Sequence, residues 1–302
     1  MLKQDKIINH KANNLVQTVL LFGGMLLLLA LIGSAIAGTT GLWWAVILGL
    51  LFLLFGQQLS PQWVLRAQRA RPLMPYEAPA LHQLVQVLAQ RAKLTTAPRL
   101  YYIPQEMPNA FTVGSGQEAV LGITAGLLQR LDQRELTAVL AHEISHIQHN
   151  DMRVLAFAGL VTRLTGLFSG LGQFLLFINL PLLLMGRATI SWLAILLMIA
   201  APTLSGLLHL ALSHTREFDA DIGAVKLTGD PIGLASALRK LEQSQASWLK
   251  MLVPGYRLPE SAVLRTHPNT KERIERLLAL TDTPLPLPAP PSQRWPSWHF
   301  TT

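Results

Sequence analysis

Hydrophobic and polar positions divide the chain into blocks of very different character. Between Lys11 and Arg66 there is no Asp, Glu, Lys or Arg, a run of 54 residues. A helix that crosses the hydrocarbon layer needs about 20 apolar residues. The run therefore predicts two spans, Leu15–Ala37 and Leu42–Leu59, joined by the short uncharged turn Gly38-Thr39-Thr40-Gly41. A third span falls within residues 154–186 and a fourth within residues 188–213. Arg163 interrupts the third, so either the helix enters lipid only after it or the guanidinium snorkels to the near interface. The expected organisation is an N-terminal tail (residues 1–14), a membrane hairpin (15–59), a first soluble segment (60–153), a second hairpin (154–213), a second soluble segment (214–282) and a proline-rich tail (283–302).

The first soluble segment carries its own periodicities. Ala80 to Lys93 reads as an amphipathic helix with Leu81, Leu84, Val85 and Leu88 on one face. Leu100 to Ile103 has the composition of a short strand. Phe111-Thr112-Val113 and Ala119 to Ile123 flank Gly114-Ser115-Gly116-Gln117, which predicts a hairpin. A helix starts near Asp132, with Glu135 three residues on completing a capping box, and runs through His149. The fold class is thus mainly α with a small β-sheet, an α+β domain attached to four transmembrane helices.

Composition supports the membrane reading. Half the residues are hydrophobic and only 14% are charged, against roughly 25% in an average soluble domain. The net charge of +8 does not indicate nucleic acid, because no segment interleaves clustered basic residues with aromatics. Topology accounts for it instead. Lys3, Lys6, Lys11, Arg66, Arg69, Arg71, Arg153 and Arg216 fall on one side of the predicted spans and only Arg187 on the other. By the positive-inside rule, both termini and both soluble segments face the cytoplasm. The chain has no cysteine, which removes disulfides and thiolate metal sites from consideration. No cleavable signal peptide is evident, since the apolar run after Lys11 is too long for one.

The chemistry sits on the helix that begins at Asp132. His142-Glu143-Ile144-Ser145-His146 places two imidazoles four residues apart, on one face, one turn above the other. Glu143, one position round, can reach a water beside a metal held by both. This is the arrangement of a zinc hydrolase, two ligands and a general base. With nine His and ten Glu in the chain, chance alone gives such a pattern about one time in a hundred. The apolar neighbours Val139, Leu140, Ile144 and Ile147 place the helix in a core, where ionisable groups need partners. A catalytic zinc takes three protein ligands and keeps a position open. Glu217 in Arg216-Glu217-Phe218-Asp219-Ala220-Asp221 is the best third ligand; the alternative is a solvated acidic turn at a membrane boundary. Asp221, four residues on and facing the same way, would orient a ligating imidazole. His149 and His214 read as surface or packing residues, and His209 as a helix–helix hydrogen-bonding group. Glu217 follows the fourth span by about five residues, roughly 8 Å at helical rise, so the metal is expected close to the membrane surface.

Ala141-His142-Glu143-Ile144-Ser145-His146 together with Arg216-Glu217-Phe218-Asp219-Ala220-Asp221 resembles the HtpX branch of the M48 zinc peptidases, relatives of the CAAX prenyl endopeptidases. The resemblance covers roughly residues 10–280. It takes in the order of two spans, HExxH, two spans and the Glu motif, then Asn109-Ala110-Phe111 and His267-Pro268 with Arg273-Ile274. It implies a gluzincin-type protease domain in the bacterial inner membrane, with one Zn2+ per chain held by His142, His146 and Glu217. It also implies a stress-response endopeptidase acting on misfolded or damaged membrane proteins, or other unfolded polypeptides, at the cytoplasmic face. In such an enzyme Glu143 assists attack of zinc-bound water on the peptide bond. Asn109, Ala110 and Phe111 would form an edge strand to which an extended peptide adds. His267 is the candidate oxyanion donor, against the alternative of a turn residue before Pro268. The competing readings are a zinc-stabilised membrane scaffold without catalysis and a narrow-specificity CAAX-type peptidase. The sequence leaves the oligomeric state open.

Overall fold

The computed structural model describes residues 4–55, 61–186, 191–252 and 270–280. His267 and the proline-rich tail expected from residue 283 lie outside them. Contacts divide the chain into two units, each assembled from separate stretches. One comprises Met1–Ala12, Gln58–Met152 and Arg216–Thr302, and the other Asn13–Gln57 and Arg153–Thr215.

The apolar unit is built from the greater part of three long helices, α1 (Gln4–Phe55), α6 (Asp151–Leu184) and α7 (Trp192–Thr228). Stretches of all three are long and apolar enough to cross a membrane: Asn14–Phe52, Asp151–Leu182 and Trp192–Thr228. Helix α1 is interrupted at Ala37 (φ −135°) and Gly38 (φ 59°, ψ −145°). The second conformation is open to glycine and hostile to side chains, so the break is written into the sequence at one residue. It is tighter than the four-residue turn expected from Gly38 to Gly41, because helix resumes at Thr39. The two arms fold back on each other. A Cβ on Gly33 would lie 2.4 Å from the Gly41 carbonyl oxygen, and one on Gly49 would lie 2.9 Å from Leu26. Small residues permit that approach, as they do between helices in lipid. Phe157 of α6 fills the space beside them, its ring centroid 4.5 Å from that of Phe22. A hydroxyl pair, Thr165 with Ser205 at 2.7 Å, joins α6 to α7, and Thr162 lies 3.5 Å from the His209 ring nitrogen. Leu15, Leu20, Trp43, Leu167, Phe177 and Leu193 point outward, the reverse of a soluble protein. Arg163 is exposed within a continuous α6.

The other unit pairs a four-stranded sheet with helices. Strands β1 (Arg71–Pro72), β2 (Arg99–Ile103), β3 (Ala110–Val113) and β4 (Val120–Thr124) take the order β1-β2-β4-β3. The β3–β4 pairing is the expected hairpin, antiparallel with Thr112 opposite Leu121. The β2–β4 pairing is parallel and non-local. One sheet face presents Leu100, Leu121 and Ile123 to a single core shared with α3 (Pro79–Arg91), α4 (Ala125–Arg130), α5 (Gln133–Gln148), α8 (Pro231–Leu252), α9 (Thr270–Leu278) and the end of α7. Short helix α2 (Pro61–Ala67) precedes β1. Helix α3 buries Leu81, Val85 and Leu88 as its spacing predicts, with Leu84 partly buried.

Helix α5 is held at its start. The Asp132 carboxylate accepts from the Glu135 N–H at 2.9 Å, and Glu135 accepts in return from the Asp132 N–H at 3.1 Å, a capping box. Glu135 also accepts from Ser236 at 2.7 Å and Lys240 at 2.6 Å, tying α5 to α8. One turn away, Asp230 caps α8 by accepting from the Gly233 N–H at 2.9 Å, with Pro231 next in sequence as the first helical residue. The same carboxylate takes a forked ion pair from Arg134, one arm at 2.6 Å.

Burial works against ionisation of Asp230, but the Arg134 bond and the backbone amides outweigh it and hold its carboxyl below the usual value. A carboxyl lowered by folding contributes stability that is present at neutral pH and lost as pH falls through its folded pKa. Asp230→Ala is expected to lower unfolding stability by about 1 kcal/mol from the lost cap. The half-exposed ion pair adds only a few tenths, roughly, after solvent screening. Denaturant melts in detergent at neutral and acid pH check this: the deficit should shrink as pH falls.

Candidate active site

Helix α5 carries His142 and His146 on one face, and α7 brings Glu217 to meet them. The two helices come close together at Ser145 and Gly223. A Cβ on Gly223 would stand 1.9 Å from the Ser145 hydroxyl oxygen and 2.7 Å from its Cβ. Glycine at 223 is therefore a requirement of the backbone spacing, and that spacing sets the distance between the histidines and Glu217. The two imidazoles meet edge to face, with centroids 4.7 Å apart and Nε2 atoms 3.2 Å apart. Glu217 Oε2 lies 3.4 Å from His142 Nε2, and Oε1 lies 3.9 Å from His146 Nε2. One donor atom from each residue falls within 4.8 Å of the others, and all three residues are buried.

Each histidine is braced from behind by an aspartate, and each aspartate by an arginine. The His142 Nδ1 atom is 3.0 Å from Asp221. Arg273 on α9 donates to both oxygens of Asp221, at 2.8 and 2.6 Å, and its remaining arm reaches Glu217 at 2.9 Å. His146 Nδ1 donates to Asp151 at 2.8 Å. Arg216 spans Asp151 at 3.4 Å and Asp219 at 2.8 Å. Such partners fix the tautomer and angle of a ligating imidazole, leaving Nε2 as the free lone pair.

The donor set fits a metal ion. Two imidazole nitrogens and a carboxylate suit zinc or a similar divalent ion. Burial disfavours charge on His142, but the Asp221 and Glu217 carboxylates outweigh it and push the imidazole up to about 10. The carboxylates that hold a proton so tightly would hold a cation in its place. Burial also raises the Glu143 carboxyl; the His146 and His142 imidazoles oppose this, Glu217 reinforces it, and the net shift is upward. Glu143, 9% exposed, is thus a carboxylate with raised proton affinity beside the three converging donors.

Strand β3, which with Asn109 just before it holds the expected substrate contacts Asn109, Ala110 and Phe111, is a sheet edge that packs against α5. The Asn109 carbonyl accepts from the Thr124 N–H at 3.0 Å, and the Asn109 N–H donates to the Thr124 hydroxyl at 2.8 Å. The backbone of Asn109 therefore faces β4. Alternation along an antiparallel ladder then turns the N–H and C=O of Ala110 and Thr112 to the open side. Phe111 folds over Gly122 on the face away from the α3–α5 core.

Comparison with known proteins agrees with this geometry. The pattern that defines Peptidase family M48 matches residues 75–281. A "Protease HtpX homolog" of Paenarthrobacter aurescens is 36% identical over 297 residues, covering 91% of this chain and 99% of the relative. The chain belongs to peptidase family M48. A second "Protease HtpX homolog", from Aquifex aeolicus, is 36% identical over 273 residues, covering 84% of this chain and 88% of the relative. The crystal structure of S. mikatae Ste24p aligns over 89% of this chain and 66% of that one, at 18% identity and a TM-score of 0.43. This M48 chain, with its three long apolar helices, is a multi-pass membrane metallopeptidase.

Sequence reasoning missed three members of the site. Asp151 lies just beyond the HExxH helix and Arg216 opens the second motif with no role attached, and their carboxylate–guanidinium contact spans 65 positions, beyond any local signal. Arg273 carried only the family resemblance, with no role attached. His149 is occupied by the Ser145 hydroxyl and carbonyl on its own helix, consistent with a packing residue. Asp151→Asn is expected to weaken metal retention by about 10–100-fold. Chelator competition on the purified protein measures it; unchanged retention would remove Asp151 from the metal's support.

Proposed function

We propose that this M48 chain is a zinc endopeptidase that cleaves unfolded or damaged membrane polypeptides at the cytoplasmic membrane surface. The observation that carries the reading is the convergence of His142, His146 and Glu217 next to a buried Glu143 and an open strand edge. Zinc, when bound by those three, supplies Lewis-acid activation of water and of the scissile carbonyl. Glu143 takes the proton from the attacking water and returns it to the leaving amine. Its raised proton affinity suits that exchange near neutral pH. An extended peptide pairs with the outward groups of Ala110 and Thr112, which bind backbone and so accept many sequences. Broad acceptance is what the disposal of damaged proteins requires.

A zinc-stabilised scaffold is less well supported. Structural zinc sites are closed by four protein ligands, whereas three donors converge here among the described residues. Glu143 would also be an expensive buried carboxylate with no structural task. The kink at Ala37–Gly38 supports counting α1 as two crossings, giving four spans with both termini and the site in the cytoplasm of a bacterium. Four crossings leave little wall for a lipid chamber, which weighs against a strict CAAX specificity.

Glu143→Gln is expected to keep one zinc per chain and lose at least about 100-fold in kcat, read on a casein-like substrate in detergent. Equal cleavage by both proteins would reject Glu143 as the base; no cleavage by either, with zinc bound, would favour the scaffold. Ala110→Pro removes one outward N–H and leaves the β4 ladder intact. It is expected to raise KM severalfold with zinc content unchanged, and an unaltered KM would exclude pairing at Ala110.

A further inference from the structure

Thr112 holds a position that packing alone does not explain. It lies on β3 opposite Leu121, so its side chain shares the face of Ala110, Leu121 and Ile123 that packs on the helices. It is 6% exposed, and its Oγ1 atom is shut off from solvent without a hydrogen-bond partner among the described residues. A hydroxyl stranded in that way is destabilising. Valine has the same shape and would fill the site without that cost.

Strand β3 packs on α5, and the buried carboxylate there toward which the hydroxyl is turned is that of Glu143. A carboxylate acting as base must keep one oxygen on the water, so rotation about its terminal bond has to be restrained from the other oxygen. Thr112 is also one of the two β3 residues whose backbone N–H and C=O face the open edge. Its branched Cβ leaves few rotamers, so a shift of its backbone moves its hydroxyl.

Resting on the peptidase reading above, we propose that Thr112 is a positioning residue: its hydroxyl donates to the Glu143 oxygen that does not face the water, while its backbone pairs with the peptide being cut. Peptide pairing and base orientation are then set by one residue. A polypeptide that fails to seat on β3 leaves the base loosely held, and a seated one draws it into line.

The test compares Thr112→Val and Thr112→Ser with wild type and Glu143→Gln, all as full chains in detergent with zinc content measured. Thr112→Val is expected to lose roughly 10- to 100-fold in kcat with KM within about twofold, and Thr112→Ser to restore most of it. If Thr112→Val cleaves like wild type while Glu143→Gln does not, the positioning role is overturned and the peptidase reading stands. A second readout needs no activity. In chelated protein, Thr112→Val should raise the melting temperature more in Glu143→Ala, where nothing faces the hydroxyl, than in wild type. Equal shifts in the two backgrounds would overturn the contact, even if wild type cleaved nothing and the peptidase reading fell with it.

Discussion

Five carboxylates, Glu143, Asp151, Glu217, Asp219 and Asp221, are buried around the ends of α5 and α7 against two guanidinium groups, Arg216 and Arg273. A protein interior does not tolerate unbalanced charge of that size, because each ion taken from water costs several kcal/mol, roughly, unless it is paired. The remaining positive charge has two sources, protons on the histidines or a divalent cation between them. The rise in the His142 pKa expresses the first, and the convergence of three donor atoms provides for the second. Much of the surrounding unit serves to keep this charge where it is. The glycine at 223 sets the helix spacing, the capping box fixes the start of α5, and α9 contributes Arg273.

The two braces differ in how they are anchored. Asp221 sits one helical turn after Glu217, so ligand and support move together on α7, and Arg273 clamps both at once. Asp151 and His146 are separated by the end of α5 and a residue with positive φ, Asn150 (φ 54°). That turn brings the first residue of α6 back under the second histidine. A buried pair loses far more when one partner is removed than it contributes when intact, so each arginine acts mainly as a condition for the aspartate beside it.

What the sequence disclosed follows the range of the interactions involved. HExxH, the Asp132–Glu135 box, the amphipathic α3 and the β3–β4 hairpin are all settled within about a dozen residues, and each reads directly from spacing. The hinge at Gly38 was legible as a turn but two residues too long, because composition marks a turn without locating its positive φ. The parallel pairing of β2 with β4 and the two-residue β1 depend on distant partners and left no periodic trace. Helix α8 did leave one, Asp230 followed by Pro231, an N-cap and first-turn signal that was there to be read. The pairing of Asp151 with Arg216, and of Asp221 with Arg273, carries no local signal, since a buried charge looks the same in sequence as a solvated one.

The division of the site-bearing unit into chain stretches far apart in sequence has a consequence for the order in which the protein comes into being. His142 and His146 leave the ribosome well before Glu217, and Arg273 follows later still. At about 5–20 residues per second, the two histidines wait on the order of 4–14 s for Glu217, and Arg273 arrives about 3–11 s after that. During the interval the polypeptide holds Glu143 and two of the three donors but neither the third nor the clamp that neutralises it. Convergence of the three donors is thus deferred until Glu217 and Arg273 have both been made, so a metal held by all three has no place on the chain while only the histidines exist.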